Sequence, residues 1–243
     1  MRLRTTLQRA KVVFRQILGS EPVIPVTAHP KLEFHGTEYG GWPIASGSLS
    51  EESVVVDIGL GEDISFSESL IRKYRCNVFG FDPTPKAIAY VRARNPPNFL
   101  LFEMGVDARR GNATFYLPNV VEHASGSVCA APHLGASTIV VPMIAIEDVL
   151  VTIGVGGVDL LKMDIEGSEY AVVQSEGFEQ LTRLTKQICI EFHHRWRRSG
   201  KADTLAAIQR LAGLGFEVAW VSNNNEEILF VRNGELTRDL GGT

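Results

Sequence analysis

From Ser53 onward, apolar runs alternate with segments of helical spacing. "SVVVDIGL" is a β-branched run that stops at glycines, the pattern of a parallel strand buried on both faces. "SFSESLIRKYR" follows, with Phe66, Leu70 and Ile71 at helical spacing. "NVFGFD" predicts a second strand, "PKAIAYVRARN" a second helix and "NFLLFEM" a third strand. The section from Gly105 to about Ala145 has no regular period and is expected to be irregular. "VDLLKMDI" predicts strand four, "SEYAVVQ" a helix, "QICIEFH" strand five, and "DTLAAIQRLAGLG" a helix closed by a glycine cap. The last two apolar runs, in "FEVAWVSNNNEEILFVRN", are joined by only "NNNEE". A parallel return needs a crossover of about a dozen residues, so these two strands must be antiparallel. The pattern predicts an α/β fold: a mostly parallel sheet, helices on both faces, and an antiparallel C-terminal hairpin.

The first twenty residues follow another rule. Leu3, Leu7, Ala10, Phe14 and Ile17 step by four and three, the spacing of one helical face. Arg2, Arg4, Arg9, Lys11 and Arg15 accompany them, and no acid precedes Glu21. The apolar face is expected to pack on its own domain. A basic amphipathic helix can also lie on a membrane surface, meet an acidic partner or join an oligomer. Pro22, Pro25 and Pro30 then break any helix and mark a connector. The expected division is 1–49, an N-terminal amphipathic helix and connector, and 50–243, the main domain.

Composition narrows the class. A chain of 243 residues can bury a sizeable core, and 44% hydrophobic with 21% charged residues is ordinary for a globular protein. A formal net charge of −4 lacks the basic surplus of a nucleic-acid binder. Cys76, Cys129 and Cys189 are odd in number and without metal-site spacing, so free thiols in a reducing cytoplasm are expected. No apolar run approaches the roughly 18 residues of a transmembrane segment.

Candidate chemistry gathers at the strand ends. Asp57, Gly59 and Gly61 stand where strand one turns into a helix, and glycines there let a ligand approach the backbone. A dinucleotide pyrophosphate would favour a third glycine and disfavour carboxylates, whereas this loop continues into Glu62 and Asp63. Crowded acids suit a ligand with a positive centre. Asp82 ends strand two, where a carboxylate can accept both ribose hydroxyls or initiate the Asp-Pro turn. "LLKMDIEGSEY" brings Asp164, Glu166 and Glu169 to the end of strand four, and Glu191 ends strand five. Ligands of an open α/β sheet sit beyond these carboxyl ends, so Asp164 and Glu191 are expected to face one cleft. Glu166 and Glu169 are expected to serve the helix start.

"VVVDIGLGEDISF", "VFGFDPTPKAI", "IVVPMIAIEDVL", "LLKMDIEGSEY" and "ICIEFHHR", in this order, resemble the FkbM family of S-adenosylmethionine-dependent methyltransferases across roughly residues 50 to 232. The resemblance implies a class I methyltransferase-like (Rossmann-like) sheet of seven strands and S-adenosylmethionine as cofactor. It also implies O-methylation of a hydroxyl on a small molecule or sugar-containing metabolite. The cofactor contacts are then expected from Asp57, Gly59, Gly61, Asp63 and Asp82, with Asp63 standing where a third glycine is usual. Methyl transfer to a hydroxyl requires two aligned reactants and removal of a proton. Asp164, Glu191 or His193 can supply the base, and Asp164, Glu191 and His194 can hold a divalent cation. Glu191 and His193 share a face if the strand continues, which favours His193 over His194 in the cleft.

Other stretches offer further contacts. Arg195, Arg197 and Arg198 can neutralise nearby acids or meet a substrate phosphate or carboxylate. Tyr39 and Trp42, in "HGTEYGGWP", can cover the cofactor, grip a sugar ring or be buried as a staple. His123 is a lone histidine in the irregular section. Two other classes compete with the methyltransferase. A nucleotide-dependent oxidoreductase is opposed by the missing third glycine and the crowded acids. A non-catalytic binding protein is opposed by the retained Asp82, Asp164 and Glu191.

Overall fold

The computed structural model describes residues 2–118, 134–196 and 200–234. Helix α1 (Arg2–Ile17) precedes an antiparallel pair, β1 (Leu32–His35) and β2 (Trp42–Ala45). Next come β3 (Val54–Ile58), α2 (Ser65–Tyr74), β4 (Asn77–Phe81), α3 (Pro85–Arg94) and β5 (Phe99–Phe102). Three strands follow, β6 (Gly105–Asp107), β7 (Gly111–Pro118) and β8 (Leu134–Ala145). The chain continues through α4 (Val149–Ile153), β9 (Val158–Met163), α5 (Glu169–Gln174), α6 (Glu176–Thr182) and β10 (Thr185–Glu191). Helix α7 (Gly200–Gly213), β11 (Phe216–Val221) and β12 (Glu227–Arg232) are the last described elements.

The main sheet has seven strands in the order β11-β12-β10-β9-β3-β4-β5. Every pairing is parallel except those of β12, which runs antiparallel to both β10 and β11. The alternation of side chains along each strand sorts the core into two layers. Val56, Ile58, Leu161, Met163 and Ile190 face one way, buried with residues of α5, α6 and α7. Val55, Leu160, Cys189 and Leu229 face the other way, buried with Phe66 and Leu70 of α2. Each such side chain contributes about 1.5–3 kcal/mol on burial, which is why the apolar runs lie in the middle of the sheet. The antiparallel ending inferred from the short "NNNEE" link is present, with a register shift between Val218 and Trp220.

Residues 105–145 depart from the irregular section that the sequence suggested. Their described part forms a second sheet of order β6-β8-β7, with β8 parallel to β6 and antiparallel to β7. These strands gave no clear hydropathy signal because part of their surface is exposed, as at Val140, and because Pro142, a residue that speaks against a strand in sequence, lies within β8. "SEYAVVQ" also continues into a second helix, α6, whose N-cap Ser175 accepts a hydrogen bond from Phe178 N at 3.1 Å.

The segment ahead of residue 50 packs against the sheet. Trp42 and Ile44 are buried with Val55 and Leu160, and Ala45 N donates to Gln187 Oε1 of β10 at 2.8 Å. Helix α1 contradicts the expectation that its apolar face packs on the domain. Val12 is buried, while Leu7, Phe14 and Ile17 are exposed. Polar contacts tie its C-terminal end to the connector, among them Gln16 Nε2 donating to Pro22 O at 2.9 Å. No helix of the described residues is long and apolar enough to cross a membrane.

Candidate active site

The loop after β3 is shaped from two sides. Gly59 takes a left-handed conformation (φ +82°), and a Cβ there would lie 1.7 Å from the Asp164 carbonyl oxygen. Only glycine lets this loop press against the end of β9. Asp82 clamps the loop from the neighbouring strand. Its Oδ2 accepts from the amides of Leu60 (3.0 Å) and Gly61 (3.1 Å). Its Oδ1 accepts from Thr84 N (2.8 Å) and Thr84 Oγ1 (2.6 Å). Four donors therefore fill the acceptor positions of one carboxylate. Burial raises the Asp82 pKa, with those hydrogen bonds opposing the rise.

Asp63 accepts from Thr37 Oγ1 (2.8 Å) and Ser65 N (2.8 Å), joining the β1–β2 connection to the start of α2. Asp57 behaves differently from its loop neighbours. It is buried behind the loop, accepts from Ser67 Oγ at 2.6 Å and pairs with Lys162 Nζ at 3.1 Å. Lys162 Nζ also donates to Gly59 O at 2.8 Å. Burial alone would lower the Lys162 pKa, but the Asp57 and Asp164 carboxylates outweigh it and raise it, so the side chain is a cation. Sequence reasoning passed over Lys162. Its signal was a charge inside a run otherwise buried on both faces.

Beyond the ends of β9 and β10, four carboxylates surround His193. The ring Nε2 lies 3.2 Å from Glu166 Oε2, 3.7 Å from Asp164 Oδ1 and 3.9 Å from Glu191 Oε1. Nδ1 lies 3.2 Å from Glu169 Oε1, which also accepts from the His193 amide at 2.7 Å. The other Glu169 oxygen accepts from Gly167 N at 2.8 Å, at the start of α5. Glu169 thus keeps the helix-start role expected of it and braces the imidazole as well. Glu166 departs from that role. Its left-handed backbone (φ +55°), uncommon outside glycine, accompanies a side chain that reaches the imidazole.

His193 and His194 separate, but the strand alternation that favoured His193 in the cleft does not reach them. β10 ends at Glu191, and the chain turns through a 3₁₀ segment, His194–Trp196. His194 Nε2 lies 2.7 Å from Glu21 Oε2 instead, and Arg195 Nε donates to Glu21 Oε1 at 2.7 Å. Arg195 also pairs with Glu226 at 2.8 Å, so it neutralises nearby acids. Arg197, Arg198, His123 and Cys129 lie outside the described residues; Cys76 and Cys189 are buried free thiols.

The electrostatics follow from the burial. Desolvation would lower the His193 pKa, but hydrogen bonds to Glu166 and Glu169 outweigh it and raise it well above the usual value. Carboxylates at both ring nitrogens thus favour the protonated imidazole. Burial lifts Asp164 to about 6 against the pull of Lys162. Burial, then the Asp164 charge, pushes Glu191 well above the ordinary carboxylate range. Donor atoms of Asp164, Glu191 and His193 all lie within 4.8 Å of one another, a set of oxygen and imidazole ligands that fits a divalent cation.

A cavity of about 980 Å³ joins the two halves of the site. Gly59, Gly61, Asp63 and Asp82 line it, as do Asp164, Glu166 and Glu191. Asp57 and His193 stand behind its wall. Tyr39, Trp42 and Trp196 add aromatic surface, with Tyr39 exposed and Trp42 buried.

Residues 55–218 match the methyltransferase FkbM domain. None of the curated proteins matches the chain. Among solved structures, the Methanococcus jannaschii fibrillarin pre-rRNA processing protein is 12% identical over 76% of this chain and 69% of its own, with a TM-score of 0.45. Aeropyrum pernix fibrillarin with natively bound S-adenosyl-L-methionine is 11% identical over 87% and 86%, with a TM-score of 0.44. Precorrin-6y C5,15-methyltransferase from Geobacter metallireducens is 14% identical over 75% and 81%, with a TM-score of 0.43. The seven-stranded sheet with its antiparallel hairpin is the class I methyltransferase fold. With two thirds of its length matched by the family, this chain belongs to the FkbM methyltransferases and uses S-adenosylmethionine as methyl donor.

Proposed function

We propose that the protein methylates a hydroxyl oxygen on a small molecule or a sugar-containing metabolite. One observation carries this reading: Asp164 and Glu191, at the carboxyl ends of adjacent strands, line the same cavity as the glycine loop. A hydroxyl is a weak nucleophile at neutral pH and needs a base beside it. Asp164, lifted to about 6, is ionised at neutral pH and basic enough to take the proton. The acceptor oxygen forms a bond to the sulfonium methyl carbon as the carbon–sulfur bond breaks. The electron pair returns to sulfur, and the hydroxyl proton passes to Asp164. His193 is a positioning residue in this scheme, since a cationic imidazole has no lone pair to receive a proton. Carboxyl groups crowd this end of the cavity, with Asp57 beside Lys162 and Asp164, Glu166 and Glu169 around His193, and such crowding suits a sulfonium ligand. Gly59, Gly61, Asp63 and Asp82 form the cofactor side, with Asp57 acting through Lys162 and the loop.

The test is methyl transfer from labelled S-adenosylmethionine to a panel of hydroxylated metabolites, with calorimetric binding of S-adenosylhomocysteine measured in parallel and NAD as control. Asp164→Asn is expected to lower kcat by roughly 10²–10⁴-fold while leaving S-adenosylhomocysteine affinity intact. Unchanged turnover would remove Asp164 from the chemistry, and binding of NAD in place of the homocysteine ligand would favour an oxidoreductase. Cofactor binding with no transfer to any acceptor would favour a non-catalytic binding protein.

A second reading replaces the His193 Nε2 proton with a divalent cation, favoured by the clustered donors of Asp164, Glu191 and a then neutral His193 and by Glu169 bracing Nδ1 from behind. Loss of turnover in chelator, restored by magnesium or manganese, selects it; turnover indifferent to chelator rejects it.

A further inference from the structure

Helix α1 carries its apolar face outward. Val12, on the opposite side, is only 3% exposed, whereas Leu7 is 60%, Phe14 61%, Ile17 77% and Leu18 65% exposed. At about 3.6 residues per turn these four fall on one stripe covering roughly a third of the helix circumference. Arg9, Lys11 and Arg15 are exposed along the same helix, and α1 contains no acidic residue. A helix serving its own core would be turned the other way.

The helix is nonetheless fixed to the body. Glu21, almost fully buried just beyond it, pairs with His194, Arg195 and Arg15. Lys201 Nζ donates to Gly19 O at 2.7 Å. The outward stripe is therefore held in place by the turn that carries His193. Gln8, on the same helix, lines the methyltransferase cavity.

We infer that α1 docks the protein on an anionic lipid surface. Leu7, Phe14, Ile17 and Leu18 enter the boundary between headgroups and acyl chains, and the basic residues meet the headgroup charges. Charge selects this occupant. The first twenty residues hold five basic side chains and no acid, in a chain of net charge −4. A second copy docked through the same stripe would oppose two like-charged helices, which costs stability. With no helix long enough to span, the contact is interfacial. Docking in this orientation would bring the cavity wall at Gln8 within about one helix diameter, ~10 Å, of the lipid.

Co-sedimentation of the full chain with vesicles tests this without any acceptor. Phosphatidylcholine vesicles containing phosphatidylserine are expected to bind the protein, and pure phosphatidylcholine vesicles to bind it at least tenfold more weakly. Raised salt should weaken binding, because the headgroup attraction is screened. Phe14→Ser and Leu18→Ser are each expected to reduce binding by roughly tenfold, as is the exposed pair Arg9→Glu with Lys11→Glu. All are expected to retain the melting temperature and S-adenosylhomocysteine affinity, which separates this result from any failure of the methylation reading. Equal binding to both vesicle types, or binding to neither, overturns the inference. So does self-association in solution that Phe14→Ser abolishes, which would give the face to a second copy.

Discussion

Asp82 shows how much one carboxylate can organise. It lines the cofactor side of the cavity, yet its oxygens already hold the amides of Leu60, Gly61 and Thr84 and the Thr84 hydroxyl. Its main effect on a ligand therefore passes through the loop. Asp82→Ala is expected to raise the S-adenosylhomocysteine dissociation constant by one to two orders of magnitude, about 1.4–2.8 kcal/mol. It should also lower the melting temperature, because four donors lose their acceptor. Calorimetry and a thermal melt check the two effects separately, and an unaltered dissociation constant removes Asp82 from the cofactor site. Asp164 has a different signature. A base must be unprotonated, so kcat/KM should climb as pH rises through about 6 and flatten above it. A rate profile with saturating cofactor measures this; a flat profile across that range assigns the proton to another group. At this scale the sequence exposed the glycines, Asp82, Asp164 and Glu191, because each interrupts or ends an apolar run. It offered His193 as well, by strand alternation, but hid the contact of His193 with Glu166, which depends on a left-handed turn and on where β10 stops.

The turn after β10 is the element on which the site depends most. Glu21 reaches it from the N-terminal connector and holds His194 and Arg195, while Glu169 holds His193 from α5. Burial opposes ionisation of Glu21, but hydrogen bonds and charge from Arg195 and His194 outweigh it and depress its pKa below the ordinary 4.5. A depressed carboxylate stabilises the fold above that value and loses its contribution as pH falls through the folded pKa. Glu21→Gln is thus expected to cost about 1.5–3 kcal/mol at neutral pH. The gap to the parent protein should close as the solution is acidified below 4.5. Denaturant unfolding of both proteins at several pH values reads this difference; a gap independent of pH would mean that the Glu21 charge contributes nothing. Elements of this kind were only partly legible. The strands of the main sheet announced themselves through continuous burial, and the hairpin through its short link. Strands β6, β7 and β8 did not, since backbone pairing with one exposed face leaves little hydropathy signal. The outward face of α1 was invisible for another reason: amphipathic spacing gives the stripe but not the direction in which it is mounted.

Across the whole molecule, the sheet order brings distant segments to one rim. β3 and β9 are neighbours although about a hundred residues separate them, and their ends carry the glycine loop and Asp164. That adjacency follows from parallel strands joined by crossovers, so the rim could be anticipated once the βα alternation was read. The hairpin adds a constraint on the order of assembly. β12 lies between β10 and β11, so the strand that occupies an interior place is the last of the described strands. Until Glu227–Arg232 has been synthesised, β10 presents an open edge of unpaired amides and carbonyls beside the apolar side chains of Ile188 and Ile190. Chains ending before Glu227 are expected to accumulate in the insoluble fraction on expression, and chains ending after Arg232 to remain soluble and bind S-adenosylhomocysteine. A growing chain of this protein therefore stays vulnerable to aggregation and proteolysis until β12 has been made, and its main sheet closes when that strand slides into the gap.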